Sequence, residues 1–285
     1  MSESWFREQL YPHWRQSFQV TRELFRTNDG LQEIVLFETP GFGRVLTLDG
    51  VIQVTTGDEF IYHEMLAHVP VYAHGAVKTA CVVGGGDGGM LREILKHQSV
   101  EQAVLVEIDA QVVEFCRTHM PSVSAGAFDD PRTEIVIADG LKYMAGTTRK
   151  FDLIVIDSTD PIGPGGVLFT EEFYKDCARC LNADGIVVNQ NGVPFLQGEE
   201  VTDTWKRRRP YYADVGFFLA AVPTYVGGMM ALGWASASPR AREESLETLR
   251  ARFQAAPVAT RYYSPEVHKA AFALPPYVQE LIPCD

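Results

Sequence analysis

The sequence contains no apolar run of membrane-spanning length, and its N-terminus lacks the basic, apolar and small-residue succession of a secretory leader. A cytoplasmic location is therefore expected. Cysteine is scarce: the five at positions 81, 116, 177, 180 and 284 are odd in number and without framework spacing, so no disulfide scaffold is implied. Cys177-x-x-Cys180 falls inside a helical pattern over 171–181 with no second pair nearby, and reads as packing rather than as a metal or redox centre. Positive charge is also short. Lys and Arg total 25 against 37 Asp and Glu, a net charge of −12, which disfavours nucleic acid, whose binding rests on phosphate neutralisation. The same balance suits a cationic substrate. No internal repeat or low-complexity segment appears, and 285 residues of ordinary composition allow a sizeable core.

What the chain does have is a glycine cluster. From Thr79 to Leu95 it reads T-A-C-V-V-G-G-G-D-G-G-M-L-R-E-I-L. A β-branched run ending at Val83 predicts a buried strand, and Met90, Leu91, Ile94 and Leu95 resume with helical spacing. Strand, glycine loop and helix open a nucleotide-binding α/β unit, and Gly84-x-Gly86-x-x-Gly89 fits the dinucleotide-type spacing. That spacing serves several cofactor classes. Asp87 sharpens it, since it sets a carboxylate inside the loop where a pyrophosphate would need to come close.

Residues 1–74 read as a small antiparallel β-domain with a connecting helix, and 75–285 as the larger domain. Runs at 18–27, 32–38, 44–48 and 51–55 are alternating or β-branched, punctuated by Asn28-Asp29-Gly30, Pro40-Gly41 and Asp49-Gly50. The Asp49-Gly50 pair is a two-residue hairpin signal. A helix is expected over 58–69, with Pro70 near its end. Beyond 76, strands at 79–83, 103–107, 134–138, 151–157 and 185–190 alternate with helices at 88–97, 110–119, from about 140, and 170–181. Such alternation predicts an α/β fold with a parallel sheet covered on both faces. Runs at 214–222 and 228–235 suggest a closing antiparallel pair, and the tail (240–254, then 264–282) is mostly helical in pattern.

Ligands of open parallel sheets bind outside the carboxyl ends of the strands. Those ends run into Asp87, Glu107, Asp139, and Asp157 followed by Asp160. One acid there is common in turns and caps, but four successive strand ends are harder to assign to a solvated rim. Glu107 lies 18 residues beyond Gly89, where an acid pairs the ribose hydroxyls of an adenosine cofactor. Asp139 is placed to accept from an adenine amino group. Asp87, Asp157 and Asp160 around one crevice need cationic company, because like charges a few ångströms apart repel by several kcal/mol. A sulfonium and amines supply it, whereas a pyrophosphate does not, so an adenosyl-sulfonium is favoured over NAD. The loop Asp157-Ser158-Thr159-Asp160-Pro161-Ile162-Gly163-Pro164 carries two prolines and presents a carboxylate on a stiff turn, as proton transfer requires. Tyr62 and Tyr225 are secondary candidates for flanking an alkyl-ammonium chain, with core packing the competing role.

These segments resemble the spermidine synthases, the polyamine aminopropyltransferases. The match rests on D-G-V-I-Q from Asp49, D-E-F-I-Y-H-E-M from Asp58, G-G-G-D-G-G-M-L-R-E from Gly84, V-E-I-D from Val106, Asp139-Gly140, D-S-T-D-P-I-G-P from Asp157, and Val222-Pro223-Thr224-Tyr225. In the tail Tyr262-Tyr263-Ser264 and His268-Lys269-Ala270-Ala271-Phe272 also match. The resemblance implies a Rossmann-like, methyltransferase-type domain behind an N-terminal β-domain, assembled as a homodimer or homotetramer. It implies transfer of aminopropyl from decarboxylated S-adenosylmethionine, a co-substrate rather than a prosthetic group, to putrescine, with no metal. Gln32, Glu107, Asp139, Gly140 and Pro164 would hold the adenosine and sulfur. His63 and Asp87 would face the aminopropyl amine, and Asp157 would accept the proton. Tyr62, Ser158, Thr159, Asp160 and Tyr225 would surround the diamine. Gly165 departs from the alanine or glutamate of many members, and His63 stands where some carry glutamine. The competing readings are an S-adenosylmethionine-dependent amine N-methyltransferase, an NAD-linked dehydrogenase and a non-catalytic polyamine-binding protein.

Overall fold

The computed structural model describes residues 4–27, 31–160 and 163–283. The expected turn at Asn28-Asp29-Gly30, residues Pro161 and Ile162 of the acidic loop, and Cys284 lie outside them, as does the side chain of Pro164.

The N-terminal part forms two antiparallel sheets. One pairs β1 (Ser4–Arg7) with β2 (Ser17–Val20). The other is a meander of β3 (Arg22–Thr27), β4 (Ile34–Thr39), β5 (Gly43–Leu48) and β6 (Val51–Thr55). The single strand expected over 18–27 is divided at Thr21, where the chain bends from one sheet into the other. Asp49 and Gly50, with φ of 49° and 75°, turn β5 into β6. Both residues sit in the left-handed region that a two-residue hairpin requires.

Helix α1 (Glu59–His74) follows, buried continuously from Ile61 to Ala73. It runs past Pro70, where the sequence suggested an end. The proline removes one helical hydrogen bond, but burial all round the helix outweighs that loss. Termination waits for Gly75, left-handed at φ 81°, whose N–H reaches Val71 O.

The central sheet adds β7 (Thr79–Gly84), β8 (Gln102–Glu107), β9 (Thr133–Ile137), β10 (Phe151–Asp157), β11 (Leu181–Gln190), β12 (Asp214–Ala220) and β13 (Met230–Ser236). Their spatial order is β12-β13-β11-β10-β7-β8-β9. β9, β8, β7, β10 and β11 are parallel, and β13 and β12 close the edge antiparallel. The order reverses between β7 and β10, which places a ligand crevice over their carboxyl ends.

The helices of this part are α2 (Gly89–Leu95), α3 (Ala110–His119), α4 (Pro121–Ser124), α5 (Gly140–Gly146), α6 (Glu171–Arg179) and α7 (Pro194–Arg208). The tail adds α8 (Arg240–Glu243), α9 (Leu246–Ala255), α10 (Pro265–Ala271) and α11 (Pro276–Gln279). One sheet face packs α1 and α2 through Met65, Leu66, Leu91 and Ile94 against Val82, Leu105 and Val155. The other packs α5 and α6 through Met144, Phe173 and Tyr174 against Val83, Val104 and Ile156. Cys177 and Cys180 are free and buried in this second cluster. The meander docks Leu36, Leu46 and Val54 on Val112, Phe115 and Cys116 of α3, which brings β5 and β6 over the crevice. Helix α7 has no counterpart in the sequence reading. Its buried positions are only Pro194, Val201, Thr204 and Arg208, and its backbone departs from helical at Gln197 (φ −127°, ψ 38°), so no steady apolar stripe marks it. No helix among the described residues is long and apolar enough to cross a membrane.

Candidate active site

The glycine loop and the acidic loop meet because β7 and β10 end side by side, with Gly84 paired to Asp157. A Cβ on Gly84 would lie 2.1 Å from Asp157 O, and Gly85 N donates to that same carbonyl at 2.8 Å. The first glycine therefore serves the approach of two strand ends.

Around this junction lies a cavity of about 410 Å³. It gathers Gln32, Tyr62, His63, Asp87, Glu107, Asp139, Gly140, Asp157, Ser158, Thr159, Asp160 and Tyr225, every site residue expected from the sequence except Pro164, whose side chain lies outside the described residues. Acids from four strand ends share one chamber. Among the described residues, no group of three or more His, Cys, Asp or Glu is placed to hold a metal ion.

Each carboxylate has a distinct environment. Asp157 Oδ1 accepts from Tyr62 OH at 2.6 Å. Burial, then the nearby Asp87 charge, push Asp157 up to about 6, against the opposing effects of His63 and the tyrosine bond. Asp87 Oδ1 accepts from Gly89 N at 2.7 Å, so the loop closes on its own carboxylate. Glu107 accepts from Asp109 N at 3.0 Å, yet burial raises it to about 7. Asp139 caps α5 by accepting from Leu141 N through Oδ1. Asp160 Oδ1 accepts from Gln197 Nε2 at 3.0 Å, and burial raises this acid as well. Ser158 Oγ is buried without a hydrogen-bond partner among the described residues, a polar group available to a ligand.

Both tyrosines line the cavity. Their rings meet edge to face at 5.8 Å, and Tyr225 OH donates to Gln53 O at 2.6 Å. Burial pushes both phenols above their ordinary range, so both remain neutral donors. Tyr225 is held by Asp58 of the β6–α1 junction, whose Oδ2 accepts from the backbone N–H and the hydroxyl of Thr224.

Sequence reasoning missed one wall. Glu8, Tyr11 and Gln197 also line the cavity. Tyr11 OH donates to Gln197 Oε1 at 2.7 Å, and Gln197 Nε2 donates to both Asp160 and Glu200. Glu8 accepts from Ile52 N and Gln16 Nε2. These residues belong to a strand connection and to the unmarked helix, and no motif joins them. The only hint was the acidic excess itself.

Residues 59–245 match the family model described as the spermine/spermidine synthase domain, and residues 4–56 match the spermidine synthase tetramerisation domain. The chain belongs to the spermidine synthase family. It is an aminopropyltransferase of that family by full-length likeness as well. A polyamine aminopropyltransferase of Ruegeria sp. is 55% identical over 281 residues, covering 99% of each chain. Polyamine aminopropyltransferase 1 of Pseudomonas aeruginosa is 53% identical over 277 residues, 97% of each. A crystal structure of spermidine synthase in complex with the transition-state analogue AdoDATO superposes with a TM-score of 0.93 at 39% identity, covering 98% of this chain and 94% of that one. Spermidine synthase from Thermotoga maritima gives 0.89 at 36%, with the same coverage. The aminopropyltransferase thus has the methyltransferase-like architecture of its family, and its tetramerisation-domain match supports oligomer formation.

Proposed function

We propose that the enzyme transfers the aminopropyl group of decarboxylated S-adenosylmethionine to putrescine, yielding spermidine and 5'-methylthioadenosine. The observation that carries this reading is the convergence of Asp87, Glu107, Asp139, Asp157 and Asp160 on one chamber beside Tyr62 and Tyr225. That charge suits a sulfonium nucleoside and a diammonium chain, and it repels a pyrophosphate.

In this reading Gln32, Glu107, Asp139, Gly140 and Pro164 surround the adenosine and sulfur. Asp87, backed by His63, faces the aminopropyl ammonium. Tyr62, Ser158, Thr159, Asp160 and Tyr225 surround the diamine. A free alkylamine resembles lysine, so at neutral pH roughly one molecule in a few thousand is unprotonated. The neighbouring sulfonium and desolvation favour the neutral amine. Asp157 takes its proton, directly or through water, as the nitrogen attacks the carbon next to sulfur. The carbon–sulfur bond breaks with its electron pair passing to sulfur, and methylthioadenosine leaves. The sulfonium already activates the carbon, so the chain's own work is positioning and proton acceptance. We place the enzyme in the cytoplasm as a homodimer or homotetramer, with 1–74 and 75–285 as its two units and α1 as their joint.

One incubation tests the reaction. Putrescine and decarboxylated S-adenosylmethionine should give spermidine and methylthioadenosine in equal amounts. An N-methylated amine formed in a parallel incubation with intact S-adenosylmethionine would replace this reading with methyl transfer, and binding without turnover would leave only a polyamine carrier.

A further inference from the structure

His63 is 2% exposed, and both its ring nitrogens face acids. Nδ1 lies 2.5 Å from Glu59 Oε2 one turn earlier on α1. Nε2 lies 3.7 Å from Asp87 Oδ2 in the glycine loop. Glu59 is in turn clamped by Arg92 of α2, with Nη1 and Nη2 at 3.0 and 2.7 Å from its two oxygens. The ring rests on the start of α2, where a Cβ at Gly89 would come within 2.2 Å of His63 Cε1. Gly89 has no positive φ, so the last glycine of the loop is required here by the histidine's bulk.

We propose that His63 is a positioning residue held as an imidazolium, whose Nε2–H aims the Asp87 carboxylate at the aminopropyl ammonium, rather than a ligand of that ammonium. The inference rests on the reaction proposed above. If Nδ1 alone carried a proton, donated to Glu59, the Nε2 lone pair would face a carboxylate. A proton on each nitrogen turns both contacts attractive. It also leaves Nε2 without a lone pair for an incoming ammonium, so Asp87 must make that contact. Gly89 N bonds Oδ1, and the His63 ring stands at ion-pairing distance from Oδ2 on the other side.

The charged groups around the ring agree. Glu59 faces it from its own helix, Asp87 from the glycine loop and Asp157 from the end of β10, while Arg92 stands behind Glu59. The Tyr62 ring meets it edge-on at 5.4 Å. Burial favours the neutral ring, but Asp87 and Glu59, with Asp157 behind them, outweigh it and raise His63 to about 9. Glu59 is held down at about 2 by His63 and Arg92 despite its burial.

Nitrogen-15 NMR of histidine-labelled wild type, with His63→Gln for assignment, reads the protonation state directly. Both His63 nitrogens should carry protons at pH 7, and one of the two protons should be lost near pH 9. A neutral single-tautomer ring at pH 7 overturns the proposal, whatever the fate of the reaction. Steady-state kinetics at pH 7.5 supply the second reading. His63→Gln keeps an N–H donor toward Asp87 and should hold KM for decarboxylated S-adenosylmethionine within about threefold, whereas His63→Leu should raise it by about tenfold or more. Equal losses in both variants overturn the positioning role. Should His63→Leu fail to fold, the NMR titration still decides. Failure of wild type to form spermidine would sink the reaction and leave the imidazolium result intact.

Discussion

The hydroxyl of Tyr62, on α1, donates a 2.6 Å hydrogen bond to Asp157 at the end of β10. It joins the segment that follows the meander to the central sheet at the proposed proton acceptor. Asp157→Asn keeps size and an acceptor oxygen but removes the base, so turnover should fall by roughly 10²–10⁴. Tyr62→Phe deletes the bond that lowers Asp157, so its carboxyl should titrate higher and the acid side of the rate profile should move up in pH. Rapid-quench assays of both variants at saturating putrescine check this. Near-normal chemistry in Asp157→Asn would remove the residue from its role.

The pH dependence has a defined sign. Asp157 is raised to about 6 by burial first and by Asp87 second, and it accepts a proton only when ionised. The putrescine amine must also be neutral to attack. Both requirements make kcat/KM rise with pH, the first through about pH 6 and the second onward through the neutral range. A profile flat from pH 5.5 to 8, with chemistry shown to limit the rate, would contradict proton transfer to Asp157.

Much of this site was legible beforehand because strand ends are legible. The β-branched run before Gly84 and the alternation after it put Asp87, Glu107, Asp139 and Asp157 at successive carboxyl ends, and parallel pairing brings such ends to one edge. Asp49-Gly50 announced its hairpin by the same local chemistry. What stayed hidden depends on contacts across the chain. Tyr62 reads equally well as packing until β10 sets Asp157 beneath its hydroxyl. Gln197 lines the chamber where the backbone of α7 departs from helical, and Tyr11 meets it from 186 residues away. Pro70 shows the reverse case, a strong local stop overridden by burial on every side of α1.

Gln197 is the link that holds the hidden wall together. Its amide accepts from Tyr11 OH and Val193 N and donates to Asp160 and Glu200. Gln197→Ala would leave two carboxylates raised by burial without their shared donor. KM for putrescine should rise by about tenfold or more, as expected for a buried group left unpaired, with a smaller change in KM for the sulfonium substrate. Equal changes in both constants, measured side by side, would instead indicate a general disturbance of the chamber.

Glu107 should weaken the fold while serving the ligand. Burial raises it from an ordinary 4.5 to about 7 in the folded chain, although Asp109 and Ile108 donate backbone hydrogen bonds that pull the other way. An acid raised on folding binds its proton more tightly in the native state. The protein therefore loses stability as pH climbs from about 4.5, and the loss is complete a little above 7. At 1.36 kcal/mol per pKa unit that amounts to about 3 kcal/mol at most. Glu107→Gln keeps an oxygen for the backbone donors and removes the charge. Its Tm should exceed that of wild type by several degrees at pH 8, and the gap should narrow sharply at pH 5. Binding of methylthioadenosine should weaken in the same variant by about tenfold, because a neutral amide accepts ribose hydroxyls less strongly than a carboxylate. Thermal scans at the two pH values and calorimetric titration of the nucleoside test the two effects separately. A Tm gain of equal size at both pH values would trace the stabilisation to packing rather than charge, and unchanged nucleoside affinity would take Glu107 away from the ribose.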